Sequence, residues 1–221
     1  MTYICSNIRG DFPRFLELLK NIKFSDDDIM YIVGDTIDFH EQSMPLIRDL
    51  SVRSNVYPVM GAHERLALSM LKGFDSMLKN GKKPDSDYIE KMKLWVADSG
   101  KSTFEGFRSL NDEMKEGVLD YLSEFAPYEE AFTDKDEYII VYSGISDFST
   151  QRELDQYKAD SFIDCAKELS EAVYFDDKFV IIGYAGGGDK IKRVGKNIIM
   201  DCTSSNKIAC LCIENNKEYY A

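Results

Sequence analysis

Ile29-Met30-Tyr31-Ile32-Val33-Gly34-Asp35 is a continuous apolar run stopped by a glycine and an aspartate. Such a run, without polar alternation, reads as a strand buried on both faces, the habit of parallel sheets covered by helices. Upstream of it, Tyr3-Ile4-Cys5 is a shorter apolar run ending in Ser6-Asn7, with Gly10 close behind. Asp11 and Pro13 then supply an N-cap and a first-turn proline, and Phe15, Leu18, Leu19 and Ile22 recur at helical spacing. Downstream, residues 41–53 read as a helix through Met44, Leu46, Ile47 and Leu50, and Val56-Tyr57-Pro58-Val59-Met60 is a third strand closed by Gly61. Strand, helix, strand, helix, strand predicts a parallel sheet with right-handed crossovers. Ligand sites in such sheets lie at the carboxyl ends of the strands, which here means Asn7–Gly10, Gly34–His40 and Gly61–Glu64.

Beyond residue 72 the pattern changes. Residues 85–97 and 110–123 read as helices joined by a loop, with no strand between about 72 and 123. The last hundred residues are strand-rich: Tyr138–Tyr142, Phe179–Ile182, Ile198–Met200, Ile208–Ile213 and Glu218–Tyr220, with one expected helix at 151–172. Gly186-Gly187-Gly188 lies between strands rather than before a helix, so it reads as a flexible loop and not a phosphate cradle. Each strand-bearing half needs a partner for its buried face. The expected architecture is therefore α/β: two mixed sheets packed face to face with helices outside, a four-layer α-β-β-α sandwich. Residues 1–221 are expected to form one domain, with a helical insert at about 72–123.

Composition narrows the functional classes. Of 221 residues, 27 are Lys or Arg and 39 are Asp or Glu, a net charge of −12. Such a surface repels a polyphosphate backbone, so a nucleic-acid partner is not expected. No apolar run is long enough to span a bilayer, and the chain enters a strand-like run directly after Met1-Thr2. No membrane association is expected. The five cysteines, Cys5, Cys165, Cys202, Cys210 and Cys212, are odd in number and lack metal-knuckle spacing. Cys210 and Cys212 sit two apart in a strand-like run and share a face as small hydrophobes. A reducing, cytoplasmic location follows as the expectation. Between Lys72 and Lys101 there are seven Lys and five acids, a locally basic stretch in an acidic chain. It reads as a solvated helical face, or else as a docking surface for an acidic partner.

Five loop sequences stand in order: Ser6-Asn7-Ile8-Arg9-Gly10; Gly34-Asp35-Thr36-Ile37-Asp38; Gly61-Ala62-His63-Glu64; Val141-Tyr142-Ser143-Gly144-Ile145; and Gly183-Tyr184-Ala185. Their order, spacing and strand-end positions resemble the calcineurin-like metallophosphoesterases, particularly the serine/threonine protein phosphatase branch. That family carries Asp-x-His-Gly, Gly-Asp-x-x-Asp-Arg-Gly, Gly-Asn-His-Glu, His-x-Gly and Gly-His-Thr. The stretches Arg14–Leu19, Phe24–Asp28 and Ile199-Met200-Asp201-Cys202 to Glu214 resemble the same branch.

The resemblance implies two metal ions that activate a bridging water for in-line attack on phosphorus. The six family ligands fall on Asn7, Arg9, Asp35, Ala62, Tyr142 and Tyr184, and only Asp35 is unchanged. Asn7 lacks the charge, Arg9 brings a cation in place of a neutral nitrogen ligand, and Ala62 has no donor atom. Tyr142 and Tyr184 could ligate only as phenolates. Phe39 replaces the family's phosphate-binding arginine. The family reaction uses four histidines and this chain has two, His40 and His63. His63 falls on the general-acid position, with Asp38 as its supporting carboxylate. Without a metal-bound nucleophile that pair reads as scaffolding, and His40 and Glu64 read as ordinary loop and helix-start residues.

The expectation is a catalytically inactive phosphatase fold, without a metal cofactor, that binds a protein or a phosphorylated or anionic ligand. Its ligand would dock on the helical insert or near Arg9. The alternative is a working phosphomonoesterase with one metal (Mn, Fe, Zn or Mg) on Asp35, Asn7 and His40. A structural subunit of a larger assembly is a third reading. Where the metal is missing, Arg9 is expected to pair with Asp35, bidentate if geometry allows, and Tyr142 and Tyr184 to fill the space.

Overall fold

The three apolar runs of the first sixty residues form β1 (Thr2–Ser6), β2 (Ile29–Val33) and β3 (Val56–Val59). This computed structural model describes residues 1–81, 83–164 and 171–221. The run between β1 and β2 is α1 (Phe12–Ile22), started by the Asp11 carboxylate accepting the Arg14 amide and by Pro13 in its first turn. Helix α2 (Ser43–Leu50) joins β2 to β3.

Two further strands, β9 (Ala209–Cys212) and β10 (Lys217–Tyr220), complete a first sheet of order β10-β9-β1-β2-β3. It is parallel through β1, β2 and β3 and antiparallel at β9 and β10, hence mixed. The second sheet holds β4 (Tyr128–Phe132), β5 (Glu137–Val141), β6 (Phe179–Ile182), β7 (Lys192–Val194) and β8 (Asn197–Ile199), in the order β4-β5-β6-β8-β7. It is parallel through β5, β6 and β8, with antiparallel edges.

The sheets face each other across one buried layer. Ile4, Val33 and Leu211 from the first meet Ile140, Ile181 and Ile198 from the second. The outer face of the first sheet packs Cys5, Ile32, Cys210 and Cys212 against Phe15 and Leu18 of α1 and Leu46 and Leu50 of α2. Cys210 and Cys212 thus share a buried face, as their spacing implies. This is the expected α/β sandwich of two mixed sheets flanked by helices.

Several sequence expectations need correction. Residues 101–108, expected as loop, form α5 (Lys101–Arg108), which follows α4 (Ser86–Trp95) through a π-helical turn at Val96–Gly100. Two glycines, Gly100 and Gly106, hide its helical pattern. Helix α3 (Ala62–Asn80) begins at the third loop, about ten residues before the expected start of the helical region. Helix α6 (Asp112–Ser123) falls where its spacing predicts. Strands β4 and β7 went unforeseen because each is an edge strand carrying two charged residues, which blunts both pairing and pattern. The helix expected at 151–172 is instead a pair of 3₁₀ turns, Leu154–Gln156 and Ala159–Phe162, up to residue 164. Tyr157 and Phe162 there cover the outer face of the second sheet beside Val141 and Ile182. Residues 165–170 of that expected helix, Cys165 included, lie outside the described residues.

Candidate functional site

The loops that follow β1 and β2 depart from extended backbone abruptly. Asn7, Arg9, Asp35, Asp38 and Phe39 all have positive φ, five of the nine such non-glycine residues among those described. Strain of this kind persists only where surrounding contacts hold it, and it concentrates at functional sites. The holding contacts are visible: the Arg9 amide donates to the Asp35 carbonyl (2.7 Å) and the Gly10 amide to the Thr36 carbonyl (2.8 Å).

Asp35 is the centre of the site. Its Oδ2 accepts from the Arg9 Nη2 at 3.2 Å, and its Oδ1 accepts from the Tyr142 hydroxyl at 2.8 Å. Arg9 therefore meets Asp35 through one nitrogen rather than as a bidentate pair, because Tyr142 takes the other carboxylate oxygen. The Arg9 guanidinium also lies over the Phe39 ring, 4.4 Å from its centroid. Burial, and then the charge on Asp35, push the Tyr142 phenol far above its usual value. Its ring stacks on Tyr184 with centroids 5.7 Å apart and planes 7° from parallel. Gly34, at φ +62°, is required beneath that ring: a Cβ there would come within 2.2 Å of Tyr142.

The second cluster surrounds Asp38, which is fully buried. Its Oδ2 meets the His63 Nδ1 at 3.0 Å and accepts from the Trp95 indole at 2.9 Å, and its Oδ1 accepts from the Thr103 hydroxyl at 2.7 Å. Burial works against a charged His63, but the Asp38 hydrogen bond and the nearby Asp35 and Glu64 outweigh it and raise the imidazole to about 8. The imidazole is oriented by a fixed, fully buried carboxylate. Phe39 packs against it, centroids 4.8 Å apart.

Glu64 is more than a helix-start residue. Fully buried, it accepts from the Thr36 amide (2.7 Å), the Ile37 amide (3.2 Å) and the Gly61 amide (3.1 Å), tying the second loop to the start of α3. Burial, with Asp35 close by, pushes its carboxyl up to about 7. The available signal was a glutamate three residues after Gly61, placed to accept the Gly61 amide as the returning half of a capping box does. Trp95 and Thr103 were missed as well, since nothing local in a helical pattern says that they converge on Asp38.

The remaining positions lie close by or apart. The Asn7 Oδ1 accepts from the Cys202 amide at 3.0 Å, while its amide nitrogen is buried without a partner, as is the Arg9 Nε. Ala62 opens α3. His40 turns toward Asp11, with its Nδ1 3.9 Å from that carboxylate, and among the described residues no contact joins it to Asp35. The Gly186–Gly188 loop is anchored by Asp201, whose Oδ2 accepts from the Ala185 amide (2.9 Å) and the Gly187 amide (2.7 Å).

Loops from two mixed sheets thus meet at strand carboxyl ends in an α/β sandwich. Residues 2–201 match the family model for calcineurin-like phosphoesterases, and the chain belongs to that family. No curated protein matches it. Among solved structures, a provisionally assigned diadenosine tetraphosphatase is 14% identical with a TM-score of 0.69, over 100% of this chain and 92% of that one. A hypothetical protein from Pyrococcus horikoshii OT3 is 15% identical (TM-score 0.53; 100% of this chain, 87% of that one). A metallophosphoesterase from Sphaerobacter thermophilus is 11% identical (TM-score 0.50; 99% and 86%). At such identities the likeness is one of fold.

The metal pair the family implies does not fit the residues at the six positions. Both oxygens of the sole carboxylate, Asp35, are engaged by Arg9 and Tyr142, and the guanidinium stands where a cation would have to approach. Among the described residues, no three His, Cys, Asp or Glu side chains converge as metal ligands.

Proposed function

We propose that this chain is a phosphatase-fold protein, derived from the serine/threonine phosphatase branch, that no longer hydrolyses phosphoesters and acts by binding. The motif order supports the branch. The observation that carries the loss of hydrolysis is the Asp35 carboxylate shared between Arg9 and Tyr142: a fixed organic cation and a phenol proton take up the charge that metal ions would otherwise neutralise. The buried free thiols Cys5, Cys202, Cys210 and Cys212 support a reducing, cytoplasmic setting.

One observation favours retained hydrolysis, the His63–Asp38 pair, whose geometry suits proton donation to a leaving group. Two measurements decide between the readings. Protein purified without chelator and supplied with Mn²⁺ should hydrolyse an aryl phosphate no faster than buffer, and should carry no stoichiometric Mn, Fe or Zn. Turnover that disappears in Asp35→Ala, or a full equivalent of bound metal, would overturn the proposal.

A further inference from the structure

The chain that follows β5 leaves the site at Tyr142 and comes back to it twenty residues later. The Ser143 amide donates to the Phe162 carbonyl (3.2 Å), the Ser143 hydroxyl to the Ile163 carbonyl (2.7 Å) and the Ser146 amide to the Ser161 carbonyl (2.8 Å). Tyr157 and Phe162 seat the segment on the outer face of the second sheet. Regular structure within residues 143–164 is confined to the two 3₁₀ turns. Segments with so few backbone ladder bonds open at lower free energy than the core.

A second attachment is electrostatic and reaches across to the other half of the site. Arg65 stands in the first turn of α3, directly after Glu64. Its Nη1 donates to Asp160 at 2.7 Å and to Asp164 at 2.8 Å, and its Nη2 takes the other oxygen of Asp164. Among the described residues the other paired arginines hold one carboxylate each: Arg9 with Asp35, Arg14 with Asp11, Arg53 with Asp49 and Arg193 with Glu218. The Arg65 guanidinium holds the Asp164 carboxyl below its usual range. The three side chains are 37%, 70% and 58% exposed. An isolated pair so placed contributes little, whereas an arginine forked over two carboxylates is a network that counts. Dissolved salt still screens it. The link is strong enough to hold a weakly laddered segment and weak enough to release it.

We propose that Arg65, Asp160 and Asp164 form a salt-sensitive latch. Closed, it holds residues 143–164 against the start of α3; released, it frees the rim of the site beside Tyr142 while both sheets stay intact. The two ends of the latch each lie next to a residue of the site, Arg65 beside Glu64 and, through the Phe162 and Ile163 carbonyls, Ser143 beside Tyr142. The inference does not depend on whether the chain hydrolyses phosphoesters, because the guanidinium and its two carboxylates bond to one another rather than to Asp35, Asp38 or His63.

Amide hydrogen exchange of the full chain, resolved by residue, tests it. Arg65→Met keeps the apolar stem and removes the fork. It should speed exchange at the Ser143 and Ser146 amides by about tenfold and leave the β2 amides unchanged. Asp160→Asn/Asp164→Asn should do the same. All three changes together should do no more than either set alone, because both break one interaction. Raising NaCl from about 0.05 M to about 0.5 M should speed the same amides by about threefold in the parent chain and leave Arg65→Met unmoved. Unchanged exchange in Arg65→Met, additive effects of the two sets, a salt response that persists in Arg65→Met, or a rise shared equally by β2 would overturn the proposal.

Discussion

A carboxylate at the end of a buried strand has to be compensated, and at Asp35 the compensation comes from Arg9 and Tyr142. The Asp35 side chain is 2% exposed and that of Arg9 16%, so the pair is largely dry. Removing one member of such a pair strands the other charge. Arg9→Ala should therefore cost about 3 kcal/mol in urea unfolding, the low end of the range for buried pairs because Tyr142 remains. Adding Asp35→Asn should restore more than half of the loss. If the double variant is as unstable as the single one, the pair is not what holds the loops. His63 and Glu64 predict a pH dependence. The folded-state value of His63 is raised to about 8, so its stabilising contribution is complete below the unfolded value near 6.5 and disappears as pH rises through 8. Glu64, raised to about 7, acts in the same direction at lower pH, between its unfolded value near 4.5 and 7. Thermal midpoints should fall from pH 6 to pH 8.5, with up to about 2 kcal/mol attributable to His63. His63→Gln should flatten the part of the profile above pH 6.5; an unchanged slope there would contradict the assignment.

At the scale of elements, the π-helical turn at Val96–Gly100 is the device that completes the Asp38 cluster. It joins α4, whose last residue is Trp95, to α5, which carries Thr103, and both side chains reach one carboxylate. Inserted turns of this kind recur at functional sites. Gly100 makes the turn possible by leaving room for the indole: a Cβ there would lie 2.0 Å from the Trp95 ring. Gly100→Ala should destabilise the protein by about 2–3 kcal/mol through overpacking. Trp95 is the chain's single tryptophan and is buried, so its emission reports this directly. A red shift in the variant is expected, and unaltered emission with unaltered stability would show that the turn adapts.

Across the whole molecule, the two sheets share one buried layer of side chains, and each has a further core on its outer face. Leu211 and Ile181 are fully buried in that layer from opposite sheets. Leu211→Ala should cost about 3 kcal/mol. Its unfolding, followed by far-ultraviolet circular dichroism and by Trp95 emission, should give coincident transitions. Separated transitions would mean that the helical segment around Trp95 folds as its own unit. The sheet edges are joined as well: the Arg193 guanidinium pairs with Glu218 at 2.6 Å, and the Tyr220 hydroxyl accepts the Ile191 amide at 3.1 Å, linking β10 to the region of β7.

The central strands of the first sheet were legible because Ile29–Val33 and the runs at Tyr3–Cys5 and Val56–Val59 lack polar alternation, and side chains from both faces of them are buried. The family was legible because five loop sequences kept their order at strand ends, and the substitutions at Arg9 and Tyr142 could be named because a motif fixes positions one by one. The pairing of Arg9 with Asp35 could be anticipated as well, but not how that carboxylate is shared. That Tyr142 claims one oxygen of Asp35 and leaves Arg9 the other depends on two loops 107 residues apart meeting across two sheets. The convergence of Trp95 and Thr103 on Asp38 depends on a turn with no sequence period. Local pattern records which face of an element is buried. Contacts between distant loops are settled only when the sheets pack and each polar group must find the partner that the packing leaves within reach.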